Sequence, residues 1–329
     1  MDKSKKVLIL IVMICIFFGS FLFSTGRGAV DISPANVLRA IFMEREGINR
    51  QIIWNVRLPR TLVAAMVGSA LAVSGAILQG IMRNPLSSPG VIGVSQGAGL
   101  TAMIILVVFP NYYYLVPLGA FIGALAATML IYLLAWKNGV QPTRLILAGV
   151  AVSSMMSAGI NVLMTLFPEK VGNSLSFLVG GLSGISWPQF KLALPYVLLG
   201  ITIALLYSQR LNILMLGDEV AIGLGLKVET TRLILIVASS VLAAAAVSVA
   251  GVLGFVGLIV PHMTRLFIGS DYIFLLPASI FCGASTLMIC DTLARLLFNP
   301  AEIPVGIIMS FLGAPFFLYL LRERKGYDI

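Results

Sequence analysis

Long apolar runs, interrupted by short polar stretches, recur from one end of the chain to the other. A run of about 17–25 apolar residues is long enough to cross the hydrocarbon core of a bilayer as a helix. The pattern predicts ten such helices, at approximately 7–25, 61–81, 91–108, 113–136, 144–166, 191–207, 232–250, 252–268, 273–296 and 304–321. These spans fill most of the chain. We therefore expect an all-α polytopic membrane protein in which residues 1–329 form a single transmembrane domain.

Small residues recur on helical faces within the predicted spans. Gly68, Ala72 and Gly75 stand at positions i, i+4 and i+7, and Gly119 and Gly123 repeat the four-residue interval. In lipid, small residues allow two helices to approach closely. The pattern predicts a tightly packed bundle and carries no information about a substrate.

The composition agrees with a membrane protein: 59% of the residues are hydrophobic, 11% are charged, and the mean hydropathy is +1.02. A soluble domain has about 25% charged residues. The net charge of +9 does not indicate a nucleic-acid partner, because no basic stripe carries interleaved aromatic residues. In a membrane protein, such an excess is typical of the loops that stay in the cytoplasm.

Charge also predicts the orientation. An even number of spans places both ends on one side, and both ends are basic, with Lys3, Lys5 and Lys6 at one and Arg322, Arg324 and Lys325 at the other. Both termini are therefore expected in the cytoplasm of a cell-membrane protein. The first apolar run is too long for a signal peptide and is expected to remain as the first span. This orientation leaves nine Lys and Arg outside, and six of them lie within residues 26–60.

The outer segment 26–60 contains a helix start. Ser33 is a capping residue, and Pro34 follows at the first helical position, where a missing N–H costs nothing. Apolar residues then repeat at helical spacing, namely Val37, Leu38, Ile41 and Phe42. We predict a short amphipathic helix that lies on the membrane surface.

The cytoplasmic segment 208–231 contains a second short helix. Gly217 breaks the preceding apolar run, Asp218 can cap the helix, and Glu219 suits its first turn. The helix should end near Gly223 and Gly225. Its exposed side chains, Val220, Ala221 and Ile222, favour contact with a partner in the cytoplasm.

Several kinds of chemistry lack their sequence signals. The chain has no G-x-x-x-x-G-K-[ST] and no H-E-x-x-H, and its three cysteines have no metal-ligand spacing. The span centres lack the ionisable residues that a proton-coupled carrier needs, the nearest being Asp291 with Arg295. We therefore expect no cofactor on this chain and an energy source on another subunit. A self-sufficient secondary carrier remains an alternative.

One weak enzyme signal is present. "GLSG", Gly181–Gly184, matches the G-x-S-G of rhomboid-type intramembrane proteases, with Ser183 as nucleophile and His262 as base. The motif lies in a predicted outer loop rather than in a span, and His262 is predicted near the opposite face. A protease is therefore a remote alternative.

Five long stretches, in order, carry a family resemblance. They are "RLPRTLVAAMVGSALAVSGAILQGIMRNPLSSPGVIGVSQGAGL", "TRLILAGVAVSS", "GDEVAIGLGL", "GVLGFVGLIVPHMTRLFIGSD" and "DTLARLLFNPAEIPVGIIMSFLGAPFFLYLL". Together they resemble the FecCD-type permeases, the membrane subunits of ABC importers for ferric siderophores, haem and cobalamin. The resemblance implies a type II importer fold that performs no chemistry on its substrate. It also implies a second permease subunit (a copy or a paralogue), two cytoplasmic ATPases that carry ATP and Mg, and an extracytoplasmic binding protein.

The resemblance assigns expected roles to residues at both faces. On the outer face, Arg57, Arg60 and Arg295 match the arginines that hold acidic residues of the binding protein. In the cytoplasm, the matches to the ATPase-coupling helices are Asp218, Glu219, Ala221, Gly223 and Leu224. The matches to the cytoplasmic gate are Asn84, Leu86 and Thr143. Pro85 and Pro89 prevent the first gate loop from continuing as a helix.

The "VPHMTR" stretch is interpreted as a structural joint made by Pro261, His262 and Arg265. Pro261 disturbs the helix and leaves backbone groups in need of partners, which His262 and Arg265 can supply at the cytoplasmic end. The substrate implied by the resemblance is a ferric siderophore, with haem or cobalamin as the alternative.

Overall fold

The structure, a computed structural model, describes residues 2–28, 30–44, 46–137, 139, 141–298 and 301–323. Within these ranges it is helical and contains no β-strand. The α-helices are α1 (Lys3–Gly26), α2 (Pro34–Phe42), α3 (Ile48–Ile52), α4 (Leu58–Ile81), α5 (Val94–Val108), α6 (Val116–Ala135), α7 (Pro142–Leu166), α8 (Pro168–Val179), α9 (Trp187–Leu206), α10 (Ser208–Leu214), α11 (Asp218–Gly223), α12 (Val228–Ala250), α13 (Val256–Ile268), α14 (Tyr272–Leu296) and α15 (Val305–Glu323). A π-helical turn, Ile53–Arg57, joins α3 to α4, and 3-10 turns cover Pro89–Ile92 and Pro110–Leu115. The basic residues Arg324 and Lys325 lie outside the described residues.

Ten apolar helices occupy the positions of the ten predicted spans. Seven of those described are long and apolar enough to cross a membrane, beginning with α1 and ending with α14. The other three are shorter apolar helices, α5, α13 and the first part of α15. The fold class predicted from the sequence is thus confirmed.

Helix α4 lies at the centre of the bundle. It is almost completely buried and packs against α12, α13 and α14. Helix α1 packs on α14, and α9 packs on α12. Helices α5 and α6 pack on each other, and both contact α7 and α12. One hydrophobic core runs through residues of nearly all these helices.

The small-residue face of α4 explains this close packing. A Cβ added to Gly68 would lie 2.2 Å from the carbonyl oxygen of Gly283 on α14, and one added to Gly283 would lie 2.4 Å from the carbonyl oxygen of Gly68. A Cβ on Gly75 would lie 1.7 Å from the carbonyl oxygen of Gly257 on α13. Any side chain at these positions would push backbones apart, so the predicted tight bundle is confirmed at α4.

The described residues of the segment 26–60 form more helix than the sequence predicted. The predicted helix is present as α2, where the Ser33 hydroxyl accepts a hydrogen bond from the Asn36 N–H at 3.4 Å and Pro34 opens the helix. Val37 is buried against the bundle, whereas Phe42 is 78% exposed. A second helical stretch begins at Ile48 and continues without a break into α4. The span predicted from residue 61 therefore begins well before it, because Arg57 and Arg60 turn inward instead of marking the end of the helix.

The chain between α12 and α13 is extended. Residues 251–255 carry no helix, and Phe255 has a φ of 65°. Irregular backbone at membrane depth is tolerated where protein or water surrounds it, and here the α8 end supplies a partner: the Val252 N–H donates to the Phe177 carbonyl at 2.8 Å.

Candidate functional site

The two faces of the bundle are named by their ion pairs. The inner face carries Lys6 and Asp271 and is the face predicted to be cytoplasmic. The outer face carries Arg60, at the start of α4, and Arg295, at the end of α14.

The outer face holds a cluster of arginines and carboxylates. The guanidinium of Arg60 binds Asp291 through Nε, 3.0 Å from Oδ2, and through Nη2, 2.9 Å from Oδ1. Its Nη1 lies 2.8 Å from Glu302. The Asp291 side chain is 1% exposed and that of Glu302 is 41% exposed. One arginine therefore joins a buried carboxylate to a carboxylate at the surface.

Arg295 shares the buried carboxylate and ties it to the end of α1. Its Nε lies 3.2 Å from Oδ2 of Asp291. Its Nη2 donates to the Ser24 carbonyl and its Nη1 to the Arg27 carbonyl, each at 3.0 Å. The structure thus brings two of the three predicted docking arginines together on Asp291.

The third predicted docking residue, Arg57, is buried beside this cluster. Its Nη1 donates to the carbonyls of Thr25 and Gly26 at 3.2 and 2.8 Å, and its Nη2 donates to that of Val30. The last carbonyls of a helix have no intrahelical donor. Arg57 therefore completes the hydrogen bonding at the end of α1.

A cavity of about 520 Å³ opens beside Glu302. Its lining includes the loop Gly181–Gly184, the turn Val249–Gly251, the segment Glu302–Pro304, Arg60 and Phe177. The Gly306 N–H donates to the Gly180 carbonyl at 3.0 Å, which fixes the start of α15 on the end of α8. The cavity thus lies where α8, α12 and α15 meet.

At the inner face, Arg232 joins the short helix α11 to the bundle. Its Nη2 lies 2.9 Å from Oδ2 of Asp218, and its Nη1 lies 2.6 Å from Oε1 of Glu229. Helix α11 is present as predicted and ends at Gly223, but Gly217, with a φ of 104°, is its N-cap residue. The predicted cap by the Asp218 side chain is wrong, because that carboxylate binds Arg232 instead.

Helix α11 presents an apolar surface away from the bundle. Val220, Ile222 and Leu224 are 50%, 63% and 61% exposed. The predicted exposure of Ala221 is wrong, because this residue faces the bundle and is fully buried. Glu219 and Gly223 are also exposed. A Cβ added to Gly223 would have nothing within 4 Å. The five residues predicted for coupling therefore form one short element with one anchored face and one open face.

A polar joint fixes the neighbouring helix α10. Asn212 donates to Oδ1 of Asp271 at 2.8 Å and accepts from the Tyr272 N–H at 2.9 Å, and Lys6 lies 3.3 Å from Asp271. Partial burial alone would raise the pKa of Asp271. The hydrogen bonds from Asn212, the Ile273 N–H and Lys6, with the charge of Lys6, outweigh burial and lower that pKa below its ordinary value.

The predicted gate residues lie at two neighbouring elements. Asn84 and Leu86 form the turn after α4, in which the Asn84 side chain accepts from the Leu86 N–H at 3.0 Å. Thr143 is exposed in the first turn of α7. The following turn, Pro89–Ile92, packs on α7, since a Cβ on Gly149 would lie 1.9 Å from the Val91 carbonyl oxygen.

Sequence reasoning missed a polar stripe above this turn. A cavity of about 670 Å³ lies between α7 and the start of α5. Its polar lining comprises Ser88, Gln96, Ser153, Ser154, Ser157 and Asn161. Oε1 of Gln96 and Oγ of Ser153 are buried and have no hydrogen-bond partner among the described residues. The helical spacing of the α7 residues could have revealed this stripe.

The predicted joint at Pro261 involves a residue from a distant part of the sequence. Proline has no N–H, so the carbonyl of Gly257, four residues earlier, lacks its helical donor. Nε2 of Gln79, on α4, lies 3.5 Å from that carbonyl oxygen and 3.2 Å from that of Leu258. The ring of His262 packs edge-on against Phe316, with centroids 6.1 Å apart.

The residues of the protease alternative lie in different surroundings. Ser183 lines the outer cavity, whereas His262 contacts Phe316 well inside α15. The structure therefore does not bring the predicted nucleophile and base together.

Comparisons with known proteins find relatives that match most of the chain. The sequence model of the FecCD transport family matches residues 11–323. The Fe(3+)-citrate import system permease protein YfmE of Bacillus subtilis (strain 168) is 40% identical over 324 residues, covering 97% of this chain and 96% of its own. The hemin transport system permease protein HmuU of Yersinia pestis is 43% identical over 284 residues, covering 83% and 84%. A solved chain described as an inward-facing metal-chelate type ABC transporter superposes with a TM-score of 0.86 at 31% identity, covering 96% and 99%.

Proposed function

Because the chain belongs to the FecCD transport family, we propose that it carries an iron(III)-siderophore complex, or a similar ferric chelate, across the cell membrane. An outer binding protein would deliver the chelate, and a cytoplasmic ATPase would drive its transport. The chain is the multi-pass permease subunit of an ABC importer and not the subunit with enzymatic chemistry.

The observation that carries the proposal is the open apolar face of α11. Three large apolar side chains, Val220, Ile222 and Leu224, point away from the bundle at a face that also carries basic residues. A short helix of this kind docks into a groove of a partner. Its rigid attachment through Arg232 would pass a movement of the ATPase to α12, in which Arg232 lies. We assign Asp218 to that anchor and Glu219, Gly223 and Leu224 to the contact, with buried Ala221 setting the close packing.

On the outer face we propose that Arg60 and Arg295 bind acidic residues of the binding protein. Buried Arg57 would support these two arginines from beneath the surface. Complementary charge speeds association and fixes the register of two partners. Both termini would then lie in the cytoplasm.

The polar stripe of α7 supports a pathway along that helix. Helix α7 is mostly exposed in the single chain, and a polar face in a membrane is stable beside water or protein. We propose that a second permease subunit, a copy or a paralogue, completes this pathway, and that Asn84, Leu86 and Thr143 close its cytoplasmic end.

The ferric chelate is supported by similarity to relatives that are named for iron(III) citrate, iron(III) hydroxamate and siderophores. Relatives named for hemin and cobalamin favour haem or cobalamin as the second candidate. Stimulation of ATP turnover by binding protein loaded with each chelate distinguishes them.

The first experiment tests the coupling helix. The tagged protein is purified from its native membrane and its companions are identified, for the wild type, Glu219→Lys and Gly223→Trp. We expect an ABC ATPase to co-purify with the wild type and to be lost from both variants. Tryptophan at Gly223 meets open space in the isolated chain, so that loss would report the partner and not misfolding.

Gly19→Trp is the matched control, because Gly19 on α1 also has nothing within 4 Å of an added Cβ. It should retain the ATPase. A chain that purifies alone, or variants that keep the ATPase, would contradict the proposed coupling and reopen the carrier alternative.

A further inference from the structure

Glu302 occupies an unusual place in the outer cluster. It binds the single outward-facing nitrogen of Arg60, while the other two nitrogens of that guanidinium hold buried Asp291. The Glu302 side chain is 41% exposed, and the ion pair with Nη1 is 2.8 Å long. Water competes for the exposed carboxylate of such a pair, so Glu302 is held on Nη1 only weakly.

The charges explain why a carboxylate is needed at this place. Arg60 and Arg295 bring two positive charges to one buried carboxylate, Asp291, so the trio has one positive charge in excess. Glu302 neutralises that excess. A carboxylate from another protein that replaced Glu302 on Nη1 would leave the local charge unchanged, whereas one added beside Glu302 would meet repulsion.

We propose that Glu302 is an internal stand-in for a partner's carboxylate, so that docking on the outer face is an exchange of carboxylates on Arg60. The inference rests on the proposed docking of a binding protein and adds how that docking is regulated. The partner is an acidic surface that presents a carboxylate to Nη1 of Arg60 and displaces Glu302 into solvent.

The effect of displacing Glu302 would pass into the protein through the segment 301–306. The Ile303 N–H donates to the Ala294 carbonyl at 3.4 Å, and Pro304 packs on Gly181. Two residues further, Gly306 is bonded to the end of α8. Glu302 therefore ties the segment that leads into α15 to Arg60 of α4, and its release removes that tie.

The test measures binding to the permease–ATPase complex in nanodiscs. Its binding protein is first captured in cells by a photoreactive residue at Val30, which is exposed on the outer face. The dissociation constant is then compared for the wild type, Glu302→Gln and Asp31→Asn. Asp31 is the matched control, because it forms an exposed ion pair with Arg27 on the same face.

We expect Glu302→Gln to bind about three- to fivefold more tightly, the effect of removing one competing charge pair, and Asp31→Asn to stay within about twofold of the wild type. If Glu302→Gln binds with equal or lower affinity, or if Asp31→Asn tightens binding equally, the exchange is overturned. If the wild-type complex binds no partner at all, the proposed docking itself fails, which is a different result.

A second measurement needs no partner. Hydrogen exchange in the segment 301–306 should be at least about threefold faster in Glu302→Gln than in the wild type, because the segment loses its tie to Arg60. Unchanged exchange in a variant that elutes as the wild type does would overturn the role of Glu302 in holding the segment 301–306 on Arg60.

Discussion

At the scale of single residues, the structure pairs defects with side chains that compensate for them. Pro261 removes the backbone donor of the Gly257 carbonyl in α13, and Gln79 of α4 donates to that carbonyl and to the neighbouring one of Leu258. Arg57 does the same for the end of α1. In a bilayer, a backbone group without a partner costs several kcal/mol, so these polar side chains inside the bundle stabilise helices that would otherwise be interrupted.

We predict that Gln79→Leu lowers the free energy of unfolding by about 1–3 kcal/mol, the usual cost of a buried polar group without a partner. The measurement is the unfolding temperature of the purified permease in detergent. Gln51→Leu, at an exposed outer position, should melt with the wild type. Equal melting of Gln79→Leu and the wild type would mean that water already satisfies those carbonyls.

The sequence predicted the defect at Pro261 and local partners, His262 and Arg265, but not the donor from α4, Gln79. Proline within an apolar run is a local signal, so the joint at Pro261 could be located. Gln79 lies 178 residues from Gly257 in sequence, and only the packing of α13 on α4 brings the two together. Arg57 and Arg60 show the same limit, because their positions were predicted and their inward bonds to carbonyls and to Asp291 were not.

At the scale of helices, two glycines determine how closely α4 and α14 cross. Each of Gly68 and Gly283 lies against the carbonyl oxygen of the other. The neighbouring atoms belong to backbone, which cannot rotate away as a side chain can. The crossing therefore tolerates no additional atom.

We predict that Gly68→Ala destabilises the bundle by about 1–3 kcal/mol through overpacking, although alanine is the better helix former. Gly19→Ala adds the same methyl group to α1 with no neighbour within 4 Å and should not destabilise it. Unfolding temperature and the fraction of monodisperse protein on gel filtration measure both. A Gly68→Ala protein as stable as Gly19→Ala would show that the two helices separate without cost.

Spacing alone indicated the small-residue face of α4 but not the helices that it meets. Helix starts were predicted well where the signal is local, as at Ser33 and Pro34. At α11 the same kind of signal failed, since Asp218 found a stronger partner in Arg232 than the helix N-terminus offers.

At the scale of the whole molecule, hydropathy predicted the ten apolar helices because each must be long and apolar regardless of its neighbours. Hydropathy could not predict which of these helices are buried in the bundle and which are exposed. Helices α4 and α12 are mostly buried, and α1, α7 and α9 are mostly exposed, yet all read as similar apolar runs. Burial depends on which helices assemble, and one sequence does not state this.

The orientation of the chain in the membrane is a prediction about the whole molecule. With Cys15, Cys282 and Cys290 replaced by serine, single cysteines are placed at Tyr113, exposed in the turn before α6, and at Lys227, exposed before α12. In intact cells a membrane-impermeant maleimide should label the cysteine at 113. The one at 227 should react only after permeabilisation, because basic inner loops remain in the cytoplasm. The reverse pattern would invert the proposed topology.

The short helix α13 has a consequence for how the chain is made. Its 13 residues span about 20 Å, less than the hydrocarbon core of about 30 Å, and an extended stretch precedes it. A ribosome that feeds the chain to the insertion machinery in order therefore presents a segment too short to partition into lipid by itself. Helix α13 must wait at the site of insertion until α14 has emerged, so that it enters the bilayer together with the helix that it packs against.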